Sequence, residues 1–178
     1  MEISRLVEGH PQAVVRLEFF EDLACSDCAY LRRKLDEVLL PRYGSRVAFV
    51  HYDFPLAKHV WARDAAVAAR WMEREQGAAT AVRFRRAVLA YLREIEPGGF
   101  RDWTDRFLEM AEIAGPVDWD DAALHALVDA DLADGLRREV VKTPTVFLGA
   151  VTFIEYVPMP ELLAALDEAL GKAMEVSA

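Results

Sequence analysis

The feature that most constrains this chain is a pair of cysteines three positions apart, Cys25-Ser26-Asp27-Cys28, set between a strand-like run and a helical pattern. Ala13 to Phe20 is rich in β-branched and aromatic residues and reads as a strand, central in its sheet. The loop Glu21-Asp22-Leu23-Ala24 leads into the cysteines, after which apolar residues recur at Leu31, Leu35, Val38 and Leu39 with helical spacing. Pro41 and Gly44 are expected to end that helix. Arg46 to Tyr52 reads as a second strand. Strand, helix and strand in this order form a βαβ unit, which implies a parallel strand pair joined by a right-handed crossover.

The two cysteines are the only ones in 178 residues. A disulfide scaffold needs several, spread along the chain to tie distant segments together. A structural zinc site needs about four ligands. His51 and His59 could add two to the thiols, but the four histidines lack the paired spacing of a zinc site, so no metal is expected. An inert disulfide closing so short a loop would restrict the unfolded chain little. A redox dithiol is the remaining reading, and its requirements fit. The sulfurs must close a small ring, one thiol must ionise near neutral pH, and that thiol must be reachable by another disulfide. At a helix N-terminus the unpaired N–H groups and the helix dipole stabilise a thiolate at Cys25. Cys28, one turn in, is shielded. Cys25 is therefore expected to attack as the nucleophile and Cys28 to act as the resolving thiol.

The middle of the chain reads as helical. Trp61, Ala65, Ala68 and Met72 mark one helix, Phe84, Val88 and Tyr91 a second, and Trp103, Phe107, Ala111 and Ala114 a third. Leu124, Leu127 and Val128 mark a fourth, entered through Asp118-Trp119-Asp120-Asp121, and a short further helix is expected before Val140. Thr145–Leu148 and Val151–Ile154 flank Gly149-Ala150 as a hairpin, and a last helix begins near Pro160. The tryptophans are expected to pack the core and the helical block. The net charge of −9 argues against nucleic acid or an anionic membrane as partner, and no stretch is apolar enough to span a bilayer. There is no Gly-rich phosphate loop, so no cofactor is expected. The N-terminal run has no cationic start followed by an apolar core, which sets the expected compartment as cytoplasmic, or periplasmic if the sequence is a trimmed piece.

Four motifs in order carry a resemblance. They are Leu17-Glu18-Phe19-Phe20, then Cys25-Ser26-Asp27-Cys28, then Asp53-Phe54-Pro55-Leu56-Ala57-Lys58-His59, then Thr143-Pro144-Thr145-Val146-Phe147. With them the sequence resembles the DsbA-like thiol–disulfide oxidoreductases of the thioredoxin superfamily over nearly its whole length. The resemblance implies an α/β thioredoxin-like fold, written β-α-β, inserted helical domain, β-β-α. Residues 1–56 and 141–178 would form the thioredoxin-like domain and 57–140 the inserted one. It implies a cis Thr143–Pro144 bond beside Cys25, with Thr143 and Pro144 as the substrate-binding pair. Such a turn offers no donor from proline and leaves the Thr143 backbone free to pair with an extended substrate. The implied partners are protein or small-molecule disulfides and dithiols, together with a redox recycling partner.

The departures from the family pattern bear on direction. Ser26-Asp27 is not the Pro-His pair of strongly oxidising members, and Glu21, Asp22 and Asp27 place negative charge near Cys25. Those acids are expected to raise its pKa, making the protein a weaker oxidant and favouring a reductase or isomerase role. Glu18 lies seven residues before Cys25, whereas the buried acid of such proteins is expected six before, where Phe19 stands. A one-residue slip in a strand turns a side chain to the other face, so Glu18 is not expected to serve Cys28. Asp53 and His59 read as local hydrogen-bonding groups at a helix start. Two alternatives remain: a glutathione-transferase or isomerase relative on the same fold, which usually lacks the second cysteine, and a non-catalytic redox-sensing binding module.

Overall fold

The structure, a computed structural model, describes residues 5–176. Its sheet has five strands, β1 (Val7–Gly9), β2 (Val15–Glu21), β3 (Val47–Asp53), β4 (Thr145–Leu148) and β5 (Val151–Ile154), in the order β1-β3-β2-β4-β5. β2 and β3 run parallel, with Phe19 opposite His51 and Glu21 opposite Asp53. β4 pairs antiparallel with the other side of β2, which makes β2 central. Leu148 pairs with Val151, so Gly149-Ala150 is a two-residue turn, and Gly149 supplies its positive φ of 57°. The sequence reading has no strand before Ala13. β1 is only three residues long and is held as an edge by antiparallel pairing to β3.

Between β2 and β3 the chain forms one continuous helix in three parts, α1 (Ser26–Lys34), a π-helical turn (Leu35–Leu39) and α2 (Leu40–Tyr43). Pro41 therefore does not end the helix. It has no N–H to donate, and the wider turn just before it, in which the Leu40 N–H reaches back to the Leu35 carbonyl, accommodates the proline ring. Gly44 caps the last turn.

The sheet is covered on both faces. Leu17 and Phe19 of β2 with Val47 and Phe49 of β3 point one way, onto Leu31, Leu35 and Leu39 and onto Leu162, Leu166 and Leu170 of α7 (Met159–Val176). Phe20, Ala48, Val50 and Tyr52 point the other way, beneath Val140 and Leu132. The alternation of two buried sets along a single strand is the signature of a sheet covered on both sides.

The chain between β3 and β4 holds α3 (Ala62–Gln76), α4 (Ala78–Ala90), α5 (Phe100–Met110) and α6 (Ala122–Arg137). α6 runs unbroken to Arg137, so the separate short helix expected before Val140 is absent. Asp121 caps α6, accepting from the Ala123 and Leu124 N–H groups. Trp61 stacks on Phe100 at 4.9 Å, and Trp71 is buried in the same apolar cluster. That cluster also takes in Leu23, Cys25, Cys28 and Ala29, so the cysteine end of α1 shares its core with the helical block. Gly135 lets α6 approach the sheet closely: a Cβ there would lie 2.5 Å from the Phe54 ring.

Charge also joins the block to the sheet. The paired acids Glu21 and Asp53, at the ends of the two parallel strands, both accept from Arg85 of α4 at 2.8 Å. Arg70 of α3 bonds Asp53 at 2.6 Å and reaches Asp131 of α6 at 2.5 Å. All five side chains are buried. Glu21 is held ionised, well below the usual carboxylate range, because His51 and Arg85 outweigh the cost of its burial.

Candidate active site

Cys25 is the N-cap of α1, extended at φ −101° and ψ 127°, with Ser26 opening the helix. Its backbone carbonyl accepts the first helical bond from Ala29. The side chain is 8% exposed and lines a cleft of about 540 Å³, whereas Cys28 is 0% exposed. Across the cleft the Thr143–Pro144 bond is cis, and the Thr143 carbonyl lies 3.3 Å from Cys25 Sγ. More than a hundred residues of chain thus return to place Thr143 against the first cysteine.

The two thiols are electrostatically unequal. The Cys25 pKa is lowered to about 6, first by a hydrogen bond from the Cys28 thiol. The Thr143 hydroxyl, buried and otherwise unpartnered, and the N–H groups of Asp27 and Cys28 add to this, while burial opposes it. Burial pushes the Cys28 thiol well up, and the Cys25 sulfur and Glu21 reinforce that shift. Only one member of the pair is therefore ionised near neutral pH.

The lowered Cys25 pKa corrects the expectation that nearby acids raise it. Asp27 is exposed, and Glu21 is committed to His51 and Arg85. The Asp22 carboxylate is buried and saturated, accepting from Ala24 N at 2.7 Å and Leu56 N at 2.8 Å and pairing with His59 Nδ1 at 2.7 Å. Carboxylates neutralised by their own donors leave the hydrogen bonds at the helix start to dominate.

Glu18 points to the far side of the sheet, where it accepts from Tyr52 Oη at 2.7 Å and Arg138 at 2.8 Å, away from the cysteines. Asp53 belongs to the buried ion network rather than to a helix start. The two histidines that could have added ligands to the thiols do not meet. His51 lies buried with Nδ1 2.6 Å from Glu21 and Nε2 3.0 Å from Glu8, whereas His59 pairs with Asp22 at the cleft. Sequence reasoning missed Asp22 as an organiser of the site. Its backbone N–H donates to Cys28 Sγ at 3.4 Å while its carboxylate ties the cysteine loop to the loop after β3. Its position directly after β2 was the only available signal.

A parallel βαβ unit with a CxxC at its helix start, closed by a β-hairpin and a final helix, defines the thioredoxin class. A thioredoxin family model matches residues 2–168, and the chain belongs to that family. Within it the fold is the DsbA-like form with a helical block between β3 and β4. The structure is similar to that of Wolbachia pipientis α-DsbA1 (TM-score 0.86, 15% identity), covering 100% of this chain and 96% of that one. It is also similar to α-DsbA2 from Wolbachia pipientis, a thiol–disulfide exchange protein (TM-score 0.76, 16% identity, 94% of this chain and 88% of that one). Proteus mirabilis ScsC in a transitional conformation aligns with a TM-score of 0.79 at 16% identity, over 96% of this chain and 74% of that one. No significant sequence match is found among curated proteins.

Proposed function

We propose that this protein is a thiol–disulfide oxidoreductase that exchanges disulfides with protein substrates through Cys25 and Cys28. The observation that carries the reading is the inequality of the two thiols. Cys25 opens on a cleft with its pKa lowered to about 6, and Cys28 is sealed behind it. The Cys25 thiolate attacks a substrate disulfide, releasing one substrate thiolate and forming a mixed disulfide. Cys28 then attacks the Cys25 sulfur, its thiol proton passing to the second substrate sulfur as that sulfur leaves, and the Cys25–Cys28 disulfide closes. The substrate gains the two electrons the dithiol loses. Thr143 and Pro144 form the wall against which an extended substrate segment lies.

Direction follows from how strongly the thiolate is favoured. Activated cysteines span pKa values of about 3.5 to 7.5, and the most acidic belong to the strongest oxidants. Cys25 lies in the upper part of that range, which supports a reductase or isomerase rather than a strong oxidase. A reduction potential of about −270 to −180 mV is expected. The test is reduction of insulin disulfides driven by dithiothreitol, alongside a redox titration of the pair. Wild type should accelerate the reduction and Cys25→Ser should not. Equal rates in the two proteins would sink the reading, and a potential near −120 mV would reverse the direction.

A further inference from the structure

The exchange reaction leaves one proton without a donor. Cys25 reacts as a thiolate and so has none to give, and Cys28 is buried one turn inside the helix. The thiolate displaced from the substrate must nevertheless be protonated, or its departure becomes harder as its basicity rises. The cleft that holds Cys25 also holds one imidazole, His59, alongside Lys58, Lys142, Asp27 and Glu155. Lys142 is paired with Glu155 at 2.7 Å, and an ammonium is a poor proton donor near neutral pH. Imidazole is the side chain suited to that transfer.

His59 is built for the role. Its Nδ1 is fixed by the Asp22 carboxylate at 2.7 Å, and that carboxylate is fully buried and held by two backbone N–H groups. A carboxylate on Nδ1 keeps a proton there and leaves Nε2 to exchange one. His59 is 23% exposed at its side chain, and among the described residues its Nε2 has no partner. Asp22 also donates its N–H to Cys28 Sγ, so one residue sets the positions of the imidazole and the resolving sulfur.

We infer that His59, oriented by Asp22, is the proton-transfer group of the exchange reaction. The inference rests on the activity proposed above. As Cys25 sulfur bonds to one substrate sulfur and the substrate S–S bond breaks, the leaving thiolate takes the Nε2 proton of imidazolium and departs as a thiol. Solvent then reprotonates the ring. In the opposite direction, neutral Nε2 takes the proton of a substrate thiol as its sulfur attacks the mixed disulfide at the substrate sulfur and Cys25 leaves as the thiolate.

The test compares two disulfides that differ in the basicity of the thiolate released. Dithiobis(nitrobenzoate) releases an aromatic thiolate that is stable without a proton, while hydroxyethyl disulfide releases an alkyl thiolate that is not. The first attack by reduced protein is timed for wild type and His59→Gln. The substitution should slow reaction with hydroxyethyl disulfide by about tenfold or more and leave the aromatic disulfide within about twofold of wild type. The aromatic rate doubles as the check that the variant is folded with Cys25 reactive. Equal losses on both disulfides, or no loss on either, would overturn the role of His59 while leaving the exchange reading in place. A wild-type protein that reacts with neither would overturn both.

Discussion

Cys25 must ionise easily and yet remain inside a packed core, and the two demands are met by donors rather than by counter-charge. The Cys28 thiol, the Thr143 hydroxyl and two N–H groups at the helix start face its sulfur, and no cation is among the causes that lower its pKa. The value of about 6 lies below that of an unfolded thiol, so between the two the unfolded chain holds a proton the folded one lacks. Stability of the reduced protein therefore rises with pH from about 6 to about 9 and is lost again as pH falls through the folded value. The same ionisation appears in the redox equilibrium. Below about pH 6 two protons accompany two electrons, and above it only one does, because reduced Cys25 stays a thiolate. The reduction potential is expected to fall by about 59 mV per pH unit below that point and about 30 mV above it. A redox titration repeated at several pH values checks this, and an unbroken slope up to pH 8 would contradict it.

Among the elements, the joint between α4 and the two parallel strands carries the most concentrated electrostatics. Arg85 reaches the buried acids at the ends of both strands. Removing it would leave Glu21 to His51 and Asp53 to Arg70, each with one counter-charge fewer in a dry site. Arg85→Ala should destabilise the fold by about 3–5 kcal/mol, read by urea unfolding. A loss under about 1 kcal/mol would show that the network contributes little. The elements themselves were largely legible in the sequence. β2, β3, the hairpin strands and α7 are runs whose periodicity and bounding Gly or Pro residues are local. β1 was not, since Val7-Glu8-Gly9 carries no pattern of its own and is a strand only because β3 offers an edge. The passage of the helix through Pro41 was hidden for a similar reason: a π-helical turn leaves no mark in side-chain spacing that short.

At the scale of the whole molecule, the cysteines and the Thr-Pro step could be read because each is a short motif with a chemical reason. Asp22–His59 and Glu21–His51–Arg85 could not, because they join residues 30 to 64 positions apart. Which acids lie near Cys25 was visible, but not that Glu21 and Asp22 are held by their own donors and Asp27 faces solvent, and this inverted the sign of the expected pKa shift. The fold assembles the site from four separate places: the start of α1, the end of β2, the loop after β3 and the turn before β4. The central claim is that these hold one attacking and one resolving thiol. The most direct test is mass analysis of reduced protein after brief exposure to oxidised glutathione, for wild type and Cys28→Ser. Wild type should lose two hydrogens and carry no adduct, while Cys28→Ser should stop with a single glutathione bound at Cys25. A stable adduct on wild type, or none on Cys28→Ser, would contradict the account.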